Sequence, residues 1–256
     1  MHELEIVSNN AYRSIYGDRV VETSGATCFR LDEAPDSPML NRVVGLGLDG
    51  PATDEEIDEA LAAMSGVTFY VAVSPFAAPA DLAPRLAERG LEPGWGWMLF
   101  ERAIDPPPAA PTALRVVEVE TAEQATAWAT VVCAAYGLPD AVVDVIEPVY
   151  TTPEWTCWLA LDGDEPASGA GLWTDGEHGY LGFAGTLAEH RGKGAQGALF
   201  ATRIDRAREL GCRTLVTETG EQIPGRPSDS YRNILRFGFK ECYVVGHRLQ
   251  GRVEER

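Results

Sequence analysis

The chain has 256 residues, 45% hydrophobic and 23% charged, proportions that exclude a disordered, collagenous or tail-like protein. Its 39 Asp and Glu against 21 Lys and Arg give a formal charge of −18, which repels nucleic acid and anionic lipid and favours a cationic partner. No run approaches the ~18 apolar residues of a membrane-spanning helix, and the acidic start Met1–Ile6 lacks a signal-peptide core, so a cytoplasmic protein is expected.

Five scattered cysteines without a CxxC pair, and four distant histidines, offer neither a metal site nor a disulfide framework. The cysteines read as buried thiols. In the first half, Arg42–Leu48 reads as a strand. The acidic turn after Pro51 opens a helix whose Ile57, Leu61 and Met64 share a face, with Gly66 as its stop. Val67–Val73 is a strand, Asp81–Glu88 a helix stopped by Gly90, and Trp95–Phe100 a strand.

Residues 105–111, Asp-Pro-Pro-Pro-Ala-Ala-Pro, cannot be helix and stiffen into an extended spacer. Domains are therefore expected at 1–104 and 113–256, joined by a linker at 105–112. The second half opens with strand Leu114–Glu120 and a helix from the N-cap Thr121. A helix follows at Val142–Tyr150, then strands at Trp155–Leu161, Ala167–Trp173 and Tyr180–Leu187. A glycine-rich turn, Arg191–Gly197, leads into a helix reaching Leu210. Strand Arg213–Thr219, helix Ser230–Phe237 and strand Cys242–Leu249 complete the chain. In both halves a helix ending in glycine (Gly66, Gly211) precedes a strand and a helix ending Gly90-Leu91 or Gly238-Phe239. This weak echo fits a diverged repeat, although the first half shows no glycine-rich turn to match the second.

The turn Arg191-Gly192-Lys193-Gly194-Ala195-Gln196-Gly197 carries the chemistry. Between a strand and a helix it exposes peptide N–H groups that lack intrahelical partners, at the positive end of the helix dipole. Glycines let a phosphate approach the backbone. Lys193 is one of only two lysines in the chain, the other being Lys240. Read literally, Gly192-x-Gly194-x-x-Gly197 with Glu218 about 20 residues on is a dinucleotide fingerprint, which would make an NAD-dependent oxidoreductase. The turn sits too late in its domain for that. The polar Glu189-His190-Arg191 also intervenes after the strand, and Glu218 lies inside a strand. A nucleotide P-loop fails because no Ser or Thr follows Lys193.

The segment Arg191–Gln196, taken with Ser230–Phe239 and its Gly-Phe ending, resembles the acyl-CoA loop and later helix of the GNAT N-acetyltransferases. Arg191 and Gly194 match that family's Arg/Gln-x-x-Gly-x-Gly/Ala pattern; Gln196 departs from it, with Gly197 following. The resemblance covers roughly residues 114–250. It implies an α/β fold with a mixed α+β sheet, GNAT-like in the C-terminal half, beside a smaller GNAT-like N-terminal domain. A tandem of a degenerate and an active copy would fit. It further implies acetyl transfer from acetyl-CoA to an amine, a small molecule or a peptide, in a ternary complex. Arg191, Gly192, Lys193, Gly194, Ala195, Gln196 and Gly197 would hold the diphosphate, Thr186 and Leu187 the pantetheine arm and thioester carbonyl, and Asn233 or Ser230 the arm. Glu218 would be the base. The family's acid position is occupied by Ile234, so Tyr231, one turn earlier, is the candidate substitute. That departure leaves a non-catalytic acyl-CoA-binding module as an alternative. Cys212 reads as buried, the tryptophans as core, and His190 as a surface histidine.

Overall fold

A computed structural model of the chain describes residues 2–225 and 228–250. It divides into two compact units. The first comprises the chain up to Leu99, Thr219–Glu221 and the residues from Cys242; the second comprises Phe100–Glu218 and Gln222–Glu241. The proline-rich segment thus lies among the residues of the second unit.

In the first unit the elements are α1 (Glu3–Tyr16), β1 (Val20–Glu22), β2 (Thr27–Phe29), β3 (Arg42–Val44), α2 (Asp54–Ala63), β4 (Tyr70–Val73), α3 (Leu82–Glu88) and β5 (Leu91–Ala103) as far as Leu99. The last strand of the chain, Lys240–Gln250, joins them from Cys242 onward, in the order β1-β2-β3-β4-last strand-β5. Strands β3 and β4 run parallel, Val43 opposite Val71, and the last strand runs antiparallel to β4. Ile57 and Met64 are fully buried, as their spacing predicts, with Leu61 half-buried beside them.

Two expectations change here. The segment before residue 42 gave no sequence signal, yet it folds as α1 and two strands. Its buried apolar residues in α1, Leu4, Val7 and Ala11, are interspersed with buried Glu5 and Ser8, which blurs the periodicity. Residues Gly45–Leu48 leave the strand: Gly45 and Gly47 have φ of +91° and +77°, so the first half does have a glycine turn before its helix. That helix is closed by its own side chains. The Thr53 hydroxyl accepts from the Glu56 amide at 3.2 Å, and the Glu56 carboxylate accepts from the Thr53 amide at 2.7 Å, a reciprocal capping box.

The second unit contains β6 (Arg115–Glu118), α4 (Ala122–Tyr136), α5 (Val143–Ile146), β7 (Trp155–Asp162), β8 (Glu165–Thr174), β9 (His178–Thr186), α6 (Ala195–Glu209), β10 (Thr214–Gly220, in this unit as far as Glu218) and α7 (Asp229–Arg236). The sheet order is β6-β7-β8-β9-β10. The pairs β6–β7, β7–β8 and β8–β9 are antiparallel, and β9–β10 is parallel. This mixed sheet does not fit a dinucleotide domain, whose sheet is mostly parallel. Helices α4 and α6 pack on β8 and β9. Trp128 of α4 is fully buried and donates to the Ala170 carbonyl at 3.2 Å. The helix expected at 142–150 is broken into single turns around α5, because Pro148 removes a donor at the start of the last one. The final strand, Lys240–Gln250, is β11.

Four cysteines are buried, but Cys242 on β11 is exposed, which corrects the expectation for that residue. Burial pushes the Cys28 thiol up to about 12 and Cys133 to about 11, and raises Cys157 and Cys212 as well. Buried thiols of raised pKa are inert as nucleophiles. The native protein is therefore expected to titrate a single thiol with a disulfide reagent at pH 8. Cys242→Ser should abolish that reaction, and all five cysteines should react in denaturant; rapid native labelling of several thiols would contradict the burial.

Candidate ligand-binding cleft

Strand β9 ends at Thr186, a short 3₁₀ turn spans Ala188–His190, and the chain then turns through Arg191–Gly194 into α6. Gly192 and Gly194 have φ of +79° and +86°, a conformation that costs any other residue. The two glycines differ in their surroundings. A Cβ on Gly192 would meet open space, whereas one on Gly194 would lie 3.1 Å from the Pro111 carbonyl and 3.3 Å from the Thr112 Cβ. The Thr112 hydroxyl also donates to the Lys193 carbonyl at 2.7 Å. Gly194 is thus required by the proline-rich segment behind it as well as by its φ.

No side chain caps α6. Among the described residues, the backbone amides from Gly192 through Gly197 donate no hydrogen bond. At the head of a 15-residue helix, such a row of N–H groups carries partial positive charge, and each exposed contact with an anion stabilises by ~0.3–1 kcal/mol. Helix α2 is the opposite case. Its first turn holds Asp54, Glu55 and Glu56 and is closed by Thr53, so an anion there would meet both carboxylates and a satisfied backbone.

The amide row opens onto a cleft of about 570 Å³. Tyr136 from α4, Ala184–Thr186 from β9, His190, the turn itself, and Asp229, Ser230, Arg232, Asn233 and Arg236 of α7 line it. Three arginines face it against one aspartate, and Asp229 is already ion-paired with Arg232. The cleft is therefore cationic in an acidic protein. Lys193 points away: its ammonium pairs with Asp162 at the end of β7, which also bonds His190 Nδ1 at 3.0 Å. Lys193 and His190 together hold the Asp162 carboxyl below the usual carboxylate range. His190 is 8% exposed, so it is a wall of the cleft and not a surface histidine.

Above the turn, β9 is irregular. Gly169 pairs with Gly185, but Gly171 pairs with Gly182, so β9 carries an extra residue there. Phe183 adopts φ +53°, the one non-glycine residue with positive φ among the described residues, and such strain gathers at functional sites. The bulge turns the Ala184 carbonyl towards Tyr136, whose hydroxyl donates to it at 3.2 Å; Gln196 reaches the same oxygen at 3.5 Å. Arg203 of α6, 1% exposed, donates through one Nη to the Gly171 and Gly182 carbonyls, both at 3.3 Å, and so ties the two strands beside the bulge. Burial pushes its pKa down to about 10, opposed by Tyr136 and Tyr180. On the other side of β9, the ladder to β10 covers Thr214–Val216 against His178–Tyr180 and runs no further among the described residues, although β9 continues to Thr186. The ladder thus ends before Ala184, where β9 begins to line the cleft.

The fold gathers Thr186, Arg191, Gly192, Gly194, Ala195, Gln196, Gly197, Ser230 and Asn233 around the cleft. Besides Lys193, three expected residues lie elsewhere. The Leu187 amide is spent on the Ala167 carbonyl at 3.0 Å, and the residue borders a separate shallow depression with Glu123 and Thr126. Tyr231 is 1% exposed, its ring edge-on to Phe100 at 4.9 Å and its hydroxyl bonded to Glu241. Burial and that carboxylate raise its pKa, and it is a core residue with no path to the cleft. Glu218 is outside the lining and accepts from the Tyr180 hydroxyl at 3.0 Å, though its charge is felt at Tyr136. Sequence reasoning missed Tyr136, Arg236 and the bulge. Arg236 lay within the quoted Ser230–Phe239 motif; Tyr136 and the bulge left no signal.

Residues 127–224 match the family model described as Acetyltransferase (GNAT) family. Solved structures share the fold across nearly the whole chain. A GCN5-related N-acetyltransferase from Kribbella flavida aligns with a TM-score of 0.66 and 20% identity, over 96% of this chain and 95% of that one. A putative GNAT-family acetyltransferase from Novosphingobium aromaticivorans gives 0.60 and 15%, over 95% and 97%. A tandem GNAT protein from the clavulanic acid biosynthesis pathway gives 0.60 and 16%, over 92% and 83%. No curated protein matches the chain.

The two turn glycines make a paired test. Gly192→Ala should cost about 1–2 kcal/mol of stability from backbone strain alone. Gly194→Ala should cost more, because its Cβ also meets the Pro111 carbonyl. Urea unfolding measures both, and equal costs would remove the proline segment from the account.

Proposed function

Starting from a chain that carries a GNAT acetyltransferase domain at residues 127–224, we propose that the protein transfers an acetyl group from acetyl-CoA to an amine, by direct attack in a ternary complex. The observation that carries this reading is the uncapped amide row from Gly192 to Gly197 opening onto a cationic cleft. In it the amides and Arg191 receive the diphosphate, and Thr186 and Asn233 flank the pantetheine arm. The thioester lies beyond the end of the β9–β10 ladder. The amine nitrogen attacks the carbonyl carbon, the C–N bond forms as the C–S bond breaks, and the thiolate leaves. A backbone donor aimed at the developing oxyanion contributes about 3 kcal/mol in acyl transfer, and alignment of the two substrates contributes more.

The attacking ammonium must first lose a proton. Glu218 takes it, directly or through water, from its position beside the Tyr180 hydroxyl. With Tyr231 in the core, the leaving thiolate is protonated by solvent or by Tyr136, whose hydroxyl lies at the bulge. The acceptor is a cationic small molecule or peptide, in keeping with the −18 charge, and the setting is cytoplasmic. Among the described residues no helix is long and apolar enough to cross a membrane. Burial of both Tyr231 and Ile234 favours one alternative, a module that binds acyl-CoA without turnover. Absence of CoA release across a broad amine panel, with acetyl-CoA bound, would establish it.

Equilibrium binding of acetyl-CoA in the micromolar-to-millimolar range tests the proposal, and no binding would end it. Gly194→Asp should abolish binding in a variant that still folds. Arg191→Ala should weaken it about tenfold, the worth of a charge-assisted hydrogen bond, and flatten its salt dependence. Glu218→Gln should lower kcat below pH 8 with little change in affinity; an unchanged pH–rate profile would remove its role as base.

A further inference from the structure

The arginines of the second unit are nearly all engaged. Arg115, Arg206, Arg208, Arg213 and Arg232 are ion-paired, and Arg102 and Arg203 are buried on backbone carbonyls. In a chain with nearly two carboxylates per cation, an arginine without a carboxylate partner is the exception. Arg191 and Arg236 are two such arginines among the described residues, and both line the cleft. They flank the amide row: Arg191 directly precedes it, and Arg236 lies against Gly197, its last residue. A Cβ on Gly197 would come within 3.3 Å of an Arg236 Nη. The guanidinium also sits over the Phe237 ring at 5.4 Å, held by a cation–π contact.

A diphosphate uses the amides and Arg191. A guanidinium without a carboxylate partner at the far end of the row is free to meet a second, separate anion on the same ligand. A phosphate monoester fits best: near pH 7 it carries close to two negative charges and offers three acceptor oxygens to a planar two-pronged donor. Resting on the acyl-CoA reading above, we propose that Arg236 is the specificity-determining residue that reads the ribose 3′-phosphate, so that the protein selects coenzyme A over dephospho-CoA.

Calorimetric titration of the full chain with CoA and with dephospho-CoA tests this. The wild type should prefer CoA by about tenfold or more, the scale of one charge-assisted bidentate contact. Arg236→Gln should erase that preference by weakening CoA alone, and Arg236→Lys should restore part of it, since charge survives without the fork. Arg191→Gln should weaken both ligands alike and keep the preference. Equal loss of both ligands in Arg236→Gln, or an unchanged preference, would overturn the assignment while leaving the acyl-CoA site intact. Failure of the wild type to bind either ligand would overturn the proposed function and this assignment together.

Discussion

The unsatisfied head of α6 is the constraint on which the second unit is built. A row of peptide N–H groups without acceptors is tolerable only where water or a ligand reaches it. The fold keeps it accessible by ending β9 early, inserting one 3₁₀ turn, and using positive-φ glycines to swing the backbone into the cleft. Helix α2 shows the same position closed by the protein itself. There a threonine and a glutamate close the amides, and two further carboxylates fill the first turn. Both helices follow a glycine turn and precede a strand parallel to the one before them, so the difference lies in the side chains placed at the cap. The two helix starts are thus alike in backbone course and opposite in what closes their amides.

The bulge in β9 is the second element of the site, and Arg203 belongs to it. A bulge leaves ladder carbonyls without their usual partners. Here a buried guanidinium bonds two of them, at the cost of a charge held away from water. The same distortion turns the Ala184 carbonyl and Phe183 out of register beyond the end of the β9–β10 ladder. Ending a ladder between parallel strands and distorting one of those strands are thus achieved together, with one side chain from the helix that also carries the amide row.

Much of this was legible because local chemistry fixes it. Thr121 was readable as an N-cap and forms a capping box with Gln124; Gly66 and Gly211 were readable as stops and both have positive φ. The turn Arg191–Gly197 was recognisable by spacing, and most of its residues line the cleft. What failed depended on partners distant in sequence. Tyr231 looked like a substitute acid one helical turn from the family position. A helical turn also rotates a side chain, and this one faces Phe100 and Glu241. Lys193 looked like a phosphate ligand until Asp162, 31 residues earlier, took its charge. Leu187 sits one residue past the useful strand end, and one residue in a strand reverses the face. The bulge and Arg203 come from pairing across strands, which no periodicity records.

The stretch of prolines before β6 reads as a spacer in the sequence, yet it behaves as masonry. Pro111 and Thr112 buttress Gly194 and Lys193 from behind, Ala110 touches the position where a Gly197 side chain would be, and the Pro106 carbonyl is gripped by Arg102. A shortened protein beginning at residue 113 would keep every residue of the recognisable motif and still lose the wall that shapes its turn. Among relatives, insertions and deletions in this stretch should therefore be tolerated far less than its composition suggests.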